Sequence, residues 1–205
     1  MFKRTKILQR HLEWAITYCS TNLDYYPESM DKWIVRLRGI DGPNDIYKNA
    51  EILFSVNMPA NYPFDPPSFS CLTPNGRFET GGKICISIGE FHKEKYKKDL
   101  TISGFMSCII SLLLDTDYYD GIRLLNLKQE DIRMLSANSC KYNNINYRDI
   151  ISKMNVNKQV LIDSGLWIEE NNRLAECGTE KNREQFAKKM TMELFDSHCT
   201  NIANL

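Results

Sequence analysis

The position of the prolines is the sequence feature that most constrains the fold. All seven prolines lie before residue 75, and the rest of the chain contains none. Proline removes a backbone donor and fixes φ, so it is confined to turns, edge strands and the first turns of helices. The first part of the chain is therefore predicted to be rich in turns and strands, and the second part to be helical.

Periodic patterns predict the elements of the first part. Residues 3 to about 18 have the periodicity of an amphipathic helix with one apolar and one basic face. The apolar face consists of Leu8, Leu12, Ala15 and Cys19. The basic face consists of Lys3, Lys6 and Arg10. Between about residues 22 and 69, β-branched and aromatic segments alternate with turn signals, which predicts a meander of antiparallel strands.

The second part contains four predicted helices. Residues 102 to 114 repeat apolar side chains at helical spacing, and Thr101 precedes them as a candidate N-cap. Three further helices are predicted over residues 127 to 142, 147 to about 166 and 183 to 198, with Gly165 and Gly178 as breaks. The chain is therefore expected to belong to the α+β class.

Charge and hydropathy narrow the classes of partner. The chain has 26 basic and 26 acidic residues, so no overall field attracts it to nucleic acid. Its longest apolar run, residues 108 to 114, is far shorter than the roughly 20 residues that span a bilayer. The N-terminus lacks the apolar core of a secretory signal. We therefore expect no nucleic acid partner, no membrane span and a cytoplasmic or nuclear location.

The seven cysteines are an odd set without a Cys-x-x-Cys pair. This pattern argues against a disulfide framework and against a zinc site, so no metal or cofactor is expected. Cys85 follows a glycine-rich turn, and Lys83, Ser87 and His92 lie nearby in the sequence. Residue chemistry alone leaves Cys85 open to two interpretations, a buried inert thiol or an exposed nucleophile.

The order of the motifs around Cys85 bears on which of these two interpretations applies. A proline-rich loop at residues 62 to 67, the segment Thr73-Pro-Asn75, Cys85 and then a long helix follow one another at defined spacing. Over residues 3 to about 142 this arrangement resembles the ubiquitin-conjugating enzyme family. Residues 73 to 78, 85 to 88 and 91 to 92 are most similar to its endoplasmic-reticulum branch, the J type.

The resemblance implies a fold and a domain organisation. The expected fold has an N-terminal helix, a four-stranded antiparallel meander sheet, an active-site loop, a central helix and C-terminal helices. Residues 1–145 would form the catalytic domain, and residues 146–205 a helical extension packed on or beside it. J-type enzymes end in a membrane anchor, whereas residues 183 to 205 are polar, so no anchor is expected in this chain.

The resemblance also implies the catalytic roles. Cys85 would carry ubiquitin as a thioester and pass it to lysine, or to serine or threonine, of substrate proteins. Asn75 would donate a hydrogen bond to the oxyanion or brace the active-site loop, although it also suits a plain turn. Ser87 stands where many members carry an acidic residue. His92 could orient or deprotonate the incoming amine or hydroxyl, or could be a structural imidazole.

The implied partners are ubiquitin, its activating enzyme, a RING-type ligase and protein substrates. ATP would be used by the activating enzyme and not by this chain. The docking residues implied on the first helix are Lys3, Lys6 and Arg10, and Phe64 and Lys98 would contact the ligase. The second ligase loop lacks the family's proline at Tyr96-Lys-Lys-Asp99, which leaves the choice of ligase open.

The sequence is also compatible with other functions, each of which makes its own demand on the residues. A catalytically silent ubiquitin-binding variant of the same fold would typically lack Cys85, and a carrier of another ubiquitin-like modifier would retain it. A papain-like hydrolase would need a cysteine at a helix start and a distant His–Asn pair. A zinc module would need closely spaced ligands, which the chain does not have.

Overall fold

The computed structural model describes residues 2–18, 22–40, 45–115, 124–170 and 173–202. The helices among them are α1 (Phe2–Thr17), α2 (Ile102–Leu114), α3 (Gln129–Asn146), α4 (Arg148–Asp163) and α5 (Glu180–Ile202). The strands are β1 (Leu23–Pro27), β2 (Lys32–Arg38), β3 (Glu51–Asn57), β4 (Ser68–Cys71), β5 (Trp167–Glu170) and β6 (Arg173–Glu176). A short 3₁₀ segment covers Glu90–Lys95.

Strands β1 to β4 form the predicted antiparallel meander, with each strand paired to its sequence neighbour. Side chains alternate between the two faces of the sheet because successive Cβ atoms of a strand point in opposite directions. Trp33 and Val35 of β2 lie on the face that packs on Phe105 of α2 in the main core. Ile34 of β2 and Leu53 of β3 lie on the opposite face and belong to a second, smaller cluster.

Helix α2 is the central helix that the periodicity predicted. The Thr101 side chain accepts a hydrogen bond from the Gly104 amide, which satisfies one of the donors that a helix start leaves free. Phe105, Ile109 and Leu113 are buried on one face of the helix. The predicted bounds and the predicted cap of α2 are both confirmed.

Helices α3 and α4 cover the second face of the sheet. Ile151 and Met154 of α4 pack on Tyr26, Ile34 and Leu53. A polar network around the buried Arg36 and Asp24 lies beside this cluster. It consists of Asp24, Arg36, Glu51 and Asn155. Apolar contacts and buried charges together fix the position of α4 on the sheet.

The part of the chain beyond residue 146 completes the main core. Ala187 and Phe195 of α5 and Trp167 of β5 lie in the same hydrophobic cluster as Leu8 and Leu12 of α1. Strands β5 and β6 pair antiparallel, and the sequence, which predicted only helices in the second part of the chain, did not indicate them. Glu and Ala are depleted from strands, so local composition did not indicate either strand. No helix within the described ranges is long and apolar enough to cross a bilayer.

Candidate active site

Cys85 lies in an irregular loop that returns to the edge of the sheet. The Ile84 amide donates to the Phe69 carbonyl at 2.8 Å, and Lys83 forms an isolated bridge with Ser70. Ile84 and Ile86 are buried on either side of Cys85. Their burial anchors the loop, and the thiol between them is only partly buried. The loop therefore presents Cys85 at the surface of the protein.

The 3₁₀ segment lies against this loop and is held there by ion pairs. Lys83 Nζ lies 2.7 Å and 3.0 Å from the two carboxylate oxygens of Glu90. Lys93 Nζ lies 3.4 Å from Asp65 Oδ1 in the proline-rich loop. Each of these exposed pairs contributes at most about 1 kcal/mol. Together they connect the 3₁₀ segment to the loop that carries Cys85 and to the proline-rich loop.

His92 is the nearest basic side chain to the thiol among the described contacts. Its Nε2 lies 3.6 Å from Cys85 Sγ. The backbone of His92 leaves helical geometry, with φ −135° and ψ 51°, and this bend interrupts the 3₁₀ segment at the imidazole. The other ring nitrogen, Nδ1, lies 3.5 Å from Glu94 Oε1. The imidazole thus lies between a thiol and a carboxylate.

Burial raises the pKa of the Cys85 thiol above its ordinary value. The thiol therefore keeps its proton at neutral pH, although the thiolate is the nucleophilic form. A base that accepts the proton as the sulfur attacks would remove this difficulty. His92 Nε2, 3.6 Å from the sulfur, could accept the proton in the tautomer that is protonated on Nδ1.

Asn75 is fully buried, and its carboxamide is occupied within the loop. Its Nδ2 donates to the Thr73 carbonyl at 2.9 Å and to Cys71 Sγ at 3.0 Å. Its Oδ1 accepts from the amides of Arg77 and Phe78 at 2.9 Å and 3.0 Å. Both donors and both lone pairs are used, so the observed geometry is that of a loop brace.

Thr73 stabilises the same turn from the other side. Its Oγ1 accepts from the Leu53 amide at 2.9 Å and donates to Asn143 Oδ1 at 2.6 Å. Gly76 has φ +81°, and a Cβ there would lie 2.7 Å from a side-chain atom of Ile132. The turn at residues 73 to 76 therefore requires glycine both for its backbone conformation and for the close approach of α3.

The residues predicted to bind partners are placed as follows. Phe64 is 68% exposed and follows the cis Tyr62–Pro63 bond, in agreement with the predicted shaped loop. Lys6, Arg10 and Lys98 are exposed. The side chain of Lys3 lies outside the described residues. Ser87, two residues after Cys85, is also exposed.

The structure adds contacts that the sequence did not indicate. Arg4 of α1 donates to the carbonyls of Met58 and Pro59 at 3.2 Å and 3.0 Å, just before the proline-rich loop. The Tyr62 hydroxyl lies 2.7 Å from His11 Nδ1, and burial lowers the pKa of His11. These long-range contacts join α1 to the loop that presents Phe64. No local sequence signal could have indicated them.

Comparison with known proteins agrees with this geometry. Residues 7–145 match a family model described as ubiquitin-conjugating enzyme. A ubiquitin-conjugating enzyme E2 J2-like protein of Dictyostelium discoideum is 31% identical over 120 residues, which cover 58% of this chain and 68% of that protein. Ubiquitin-conjugating enzyme E2 32 of Arabidopsis thaliana is 38% identical over 87 residues, 42% of this chain and 27% of that protein. The similarity to the J type is thus confirmed.

The extent of these matches differs between relatives. The chain spans 27%, 39% and 46% of the length of three matched Arabidopsis thaliana enzymes. A crystal structure of a ubiquitin-conjugating enzyme E2 from Plasmodium falciparum is 28% identical with a TM-score of 0.45, covering 54% of this chain and 97% of that chain.

Proposed function

Because this chain belongs to the ubiquitin-conjugating enzyme family, we propose that it accepts ubiquitin from the activating enzyme as a thioester on Cys85 and transfers it to substrate proteins. The observation that carries the proposal is the partly exposed Cys85 thiol with an imidazole nitrogen 3.6 Å away. A buried structural thiol in the same protein, Cys71, contrasts with it, since burial raises its pKa to about 12. Of the two, Cys85 is the thiol suited to acyl transfer.

Two acyl transfers make up the proposed reaction. In the first, the Cys85 sulfur attacks the thioester carbon on the activating enzyme while His92 Nε2 accepts the thiol proton. The bond from that carbon to the activating enzyme's cysteine sulfur breaks, and the departing thiolate takes the proton from Nε2, so the imidazole is neutral again for the second transfer. In the second, an acceptor amine or hydroxyl attacks the thioester carbon, and the Cys85 sulfur leaves. The same imidazole is proposed to take the acceptor's proton.

The acceptor is proposed to be lysine and also the hydroxyl of serine or threonine. A hydroxyl is a weak nucleophile near neutral pH and needs a base more than an amine does. His92 supplies such a base, and the exposed Ser87 hydroxyl takes the place of a carboxylate near the incoming group. Asn75 is proposed to keep the loop in the conformation that presents Cys85.

The docking surfaces follow from exposed residues on two elements. We propose that Lys6 and Arg10 of α1, together with Lys3, contact the activating enzyme, and that Phe64 and Lys98 contact a RING-type ligase. An exposed aromatic ring in a proline-rich loop is a suitable anchor for a partner. A reduced Cys85 requires a reducing compartment, so we place the activity in the cytosol or nucleus.

The decisive experiment is a charging assay. The protein is incubated with ubiquitin, the activating enzyme and ATP, and the products are separated with and without reducing agent. A reducible adduct is expected, and Cys85→Ala should abolish it. Cys177→Ala, which alters an exposed thiol far along the chain, is the matched control and should charge normally.

Each alternative function predicts a different result. A silent ubiquitin-binding variant would give no adduct under conditions that charge a control enzyme. A carrier of another modifier would remain uncharged with ubiquitin and would charge with that modifier and its own activating enzyme. Either result would overturn the proposal.

A second assay tests the acceptor. Preformed thioester is mixed with free lysine or free serine after the activating enzyme is stopped. His92→Ala should slow discharge to serine by roughly 10²-fold, the lower end of the usual contribution of a general base. Unchanged discharge rates with both acceptors would show that His92 is not the base.

A further inference from the structure

The imidazole of His92 contacts Glu94 on the side opposite to Cys85. Nδ1 lies 3.5 Å from Glu94 Oε1, and Nε2 lies 3.6 Å from Cys85 Sγ. One neutral ring nitrogen carries a proton and the other accepts one, so only one tautomer can act as a base toward the sulfur. A carboxylate beside Nδ1 favours the tautomer with the proton on Nδ1, which leaves Nε2 as the acceptor.

Two lysines of this region are paired with other carboxylates, and a third, Lys95, contributes to the lowered pKa of Glu94. Lys83 pairs with Glu90 at 2.7 Å, and Lys93 pairs with Asp65 at 3.4 Å. Glu94 is the carboxylate within ion-pair distance of His92, and its own backbone amide and then His92 lower its pKa. Glu94 therefore remains ionised beside the ring across the neutral pH range.

We propose that Glu94 is the positioning residue of this site, holding His92 in the orientation and tautomer that present Nε2 to the reacting sulfur. The proposal rests on the proposed function, because it assigns Glu94 a part in the transfer from Cys85. Glu94 does not contact the reacting atoms and acts only through His92. A carboxylate, an imidazole and a nucleophile in line are the arrangement that activates weak nucleophiles in several unrelated hydrolases.

In the transfer step, Cys85 and His92 account for every bond and proton that changes. The acceptor nitrogen or oxygen forms a bond to the thioester carbon, and its proton passes to His92 Nε2. The carbon–sulfur bond breaks, and the electron pair leaves with the Cys85 sulfur. The thiolate then recovers the proton from Nε2, so the enzyme returns to its thiol form and no further reactant is consumed.

The contact between His92 and Glu94 is exposed to solvent, which limits the effect of Glu94 on the reaction rate. The Glu94 side chain is 67% exposed and that of His92 is 39% exposed. Water competes for both groups, so the effect should be smaller than that of a buried triad carboxylate. We expect Glu94→Ala to slow discharge of preformed thioester by about 3- to 10-fold.

A series at position 94 separates positioning from a general structural role. Discharge to free serine should be slowest for Glu94→Ala, intermediate for Glu94→Gln, which keeps a neutral acceptor, and close to the unaltered protein for Glu94→Asp. Glu193→Ala on α5, whose side chain is also 67% exposed, is the matched control and should leave discharge unchanged. Equal rates for Glu94→Ala and the unaltered protein would overturn the proposal.

A double-mutant cycle tests whether Glu94 acts through His92. In the His92→Ala background, Glu94→Ala should have no further effect, because the group it positions is gone. An unchanged 3- to 10-fold loss in that background would overturn the positioning role. If no thioester forms at all, the proposed function itself fails, which is a distinct outcome from normal charging with unaltered discharge.

NMR spectroscopy can identify the tautomer of His92 directly. A long-range ¹H–¹⁵N spectrum of the uncharged protein, with selectively labelled histidine and assigned through His92→Ala, reports which ring nitrogen is protonated. The Nδ1-protonated form is expected to dominate in the neutral ring, and Glu94→Ala should shift it toward a mixture. A dominant Nε2-protonated form in the unaltered protein would contradict the proposal.

Discussion

The side chain of Asn75 has a structural role inside the active-site loop. The Asn75 carboxamide makes four hydrogen bonds to its own turn and to Cys71. The sequence predicted that Asn75 either donates to the oxyanion or braces the loop. The observed contacts favour bracing, because an oxyanion donor would have to release one of them.

Asn75→Ala tests this interpretation. The substitution removes the oxygen that accepts from the buried amides of Arg77 and Phe78, and each lost buried bond costs about 1 to 3 kcal/mol. We expect the free energy of unfolding in urea to fall by about 2 to 6 kcal/mol. Asn144→Ala, at an exposed position of α3, should change it by less than about 0.5 kcal/mol.

The opposite result would assign Asn75 a different role. If Asn75→Ala left the stability unchanged but slowed discharge by about 10² to 10³, Asn75 would be an oxyanion donor and not a brace.

The Cys85 thiol gives a second prediction about a single side chain. Burial raises its pKa, so at any pH near neutrality its thiolate fraction is smaller than that of free cysteine. The rate of alkylation of Cys85 by iodoacetamide should therefore rise with pH and reach half of its maximum at a higher pH than for free cysteine. Mass spectrometry of the labelled peptide measures this rate.

Cys71 and a variant supply the controls for alkylation. Cys71 is fully buried with a pKa of about 12 and should stay unlabelled while the protein is folded. Cys85→Ala should remove the peptide's signal. Labelling of Cys85 that is faster than that of free cysteine at pH 7 would show that its pKa is lowered.

Among the secondary-structure elements, α4 covers the second face of the sheet, and a buried arginine of β2 attaches it there. Arg36 on β2 donates to Asp24 Oδ2 at 2.8 Å and to Asn155 Oδ1 of α4 at 2.7 Å. Its guanidinium also lies 3.6 Å from Glu51 Oε2. A buried cation shared between strands and a helix fixes the position of the helix, since other positions would leave the charge unpaired.

Arg36→Ala should be strongly destabilising. It leaves Asp24 buried without its principal partner, and breaking a buried pair in this way costs about 3 to 5 kcal/mol. Chemical denaturation followed by far-UV circular dichroism measures the loss. Lys48→Ala, which removes the exposed pair with Asp45, should cost less than about 1 kcal/mol. A similar small loss for Arg36→Ala would show that water compensates the buried charge.

Elements that depend on nearby residues could be predicted from the sequence. Helix α2 follows from its apolar repeat and the Thr101 cap, and the meander follows from alternating strands between turn signals. The contact of Arg36 with Asn155 joins residues 119 positions apart, and no periodicity reports it. The contact of His92 with Cys85 depends on a bend in the 3₁₀ segment, which only the folded backbone defines.

The whole molecule has one main core to which both halves of the chain contribute. The sequence predicted a catalytic domain of residues 1–145 and a helical extension of residues 146–205 packed on or beside it, with the division at the end of α3. Phe195 of α5 and Trp167 of β5 share the main cluster with Leu8 and Leu12 of α1. A hydrophobic pattern shows that a helix has an apolar face, but it does not show which distant face it covers. The packing of α5 against α1 could therefore not be predicted from the sequence.

Shared burial predicts that the molecule unfolds as a unit. Phe195→Ala removes a fully buried ring between α5 and the rest of the core and should lower the free energy of unfolding by about 3 to 5 kcal/mol. Met192→Ala, at a half-exposed position of the same helix, should cost less than about 0.5 kcal/mol. Tryptophan fluorescence and far-UV circular dichroism should report one coincident transition for each protein. Loss of α5 in a separate first step, with the sheet still folded, would instead make the C-terminal part an independent unit.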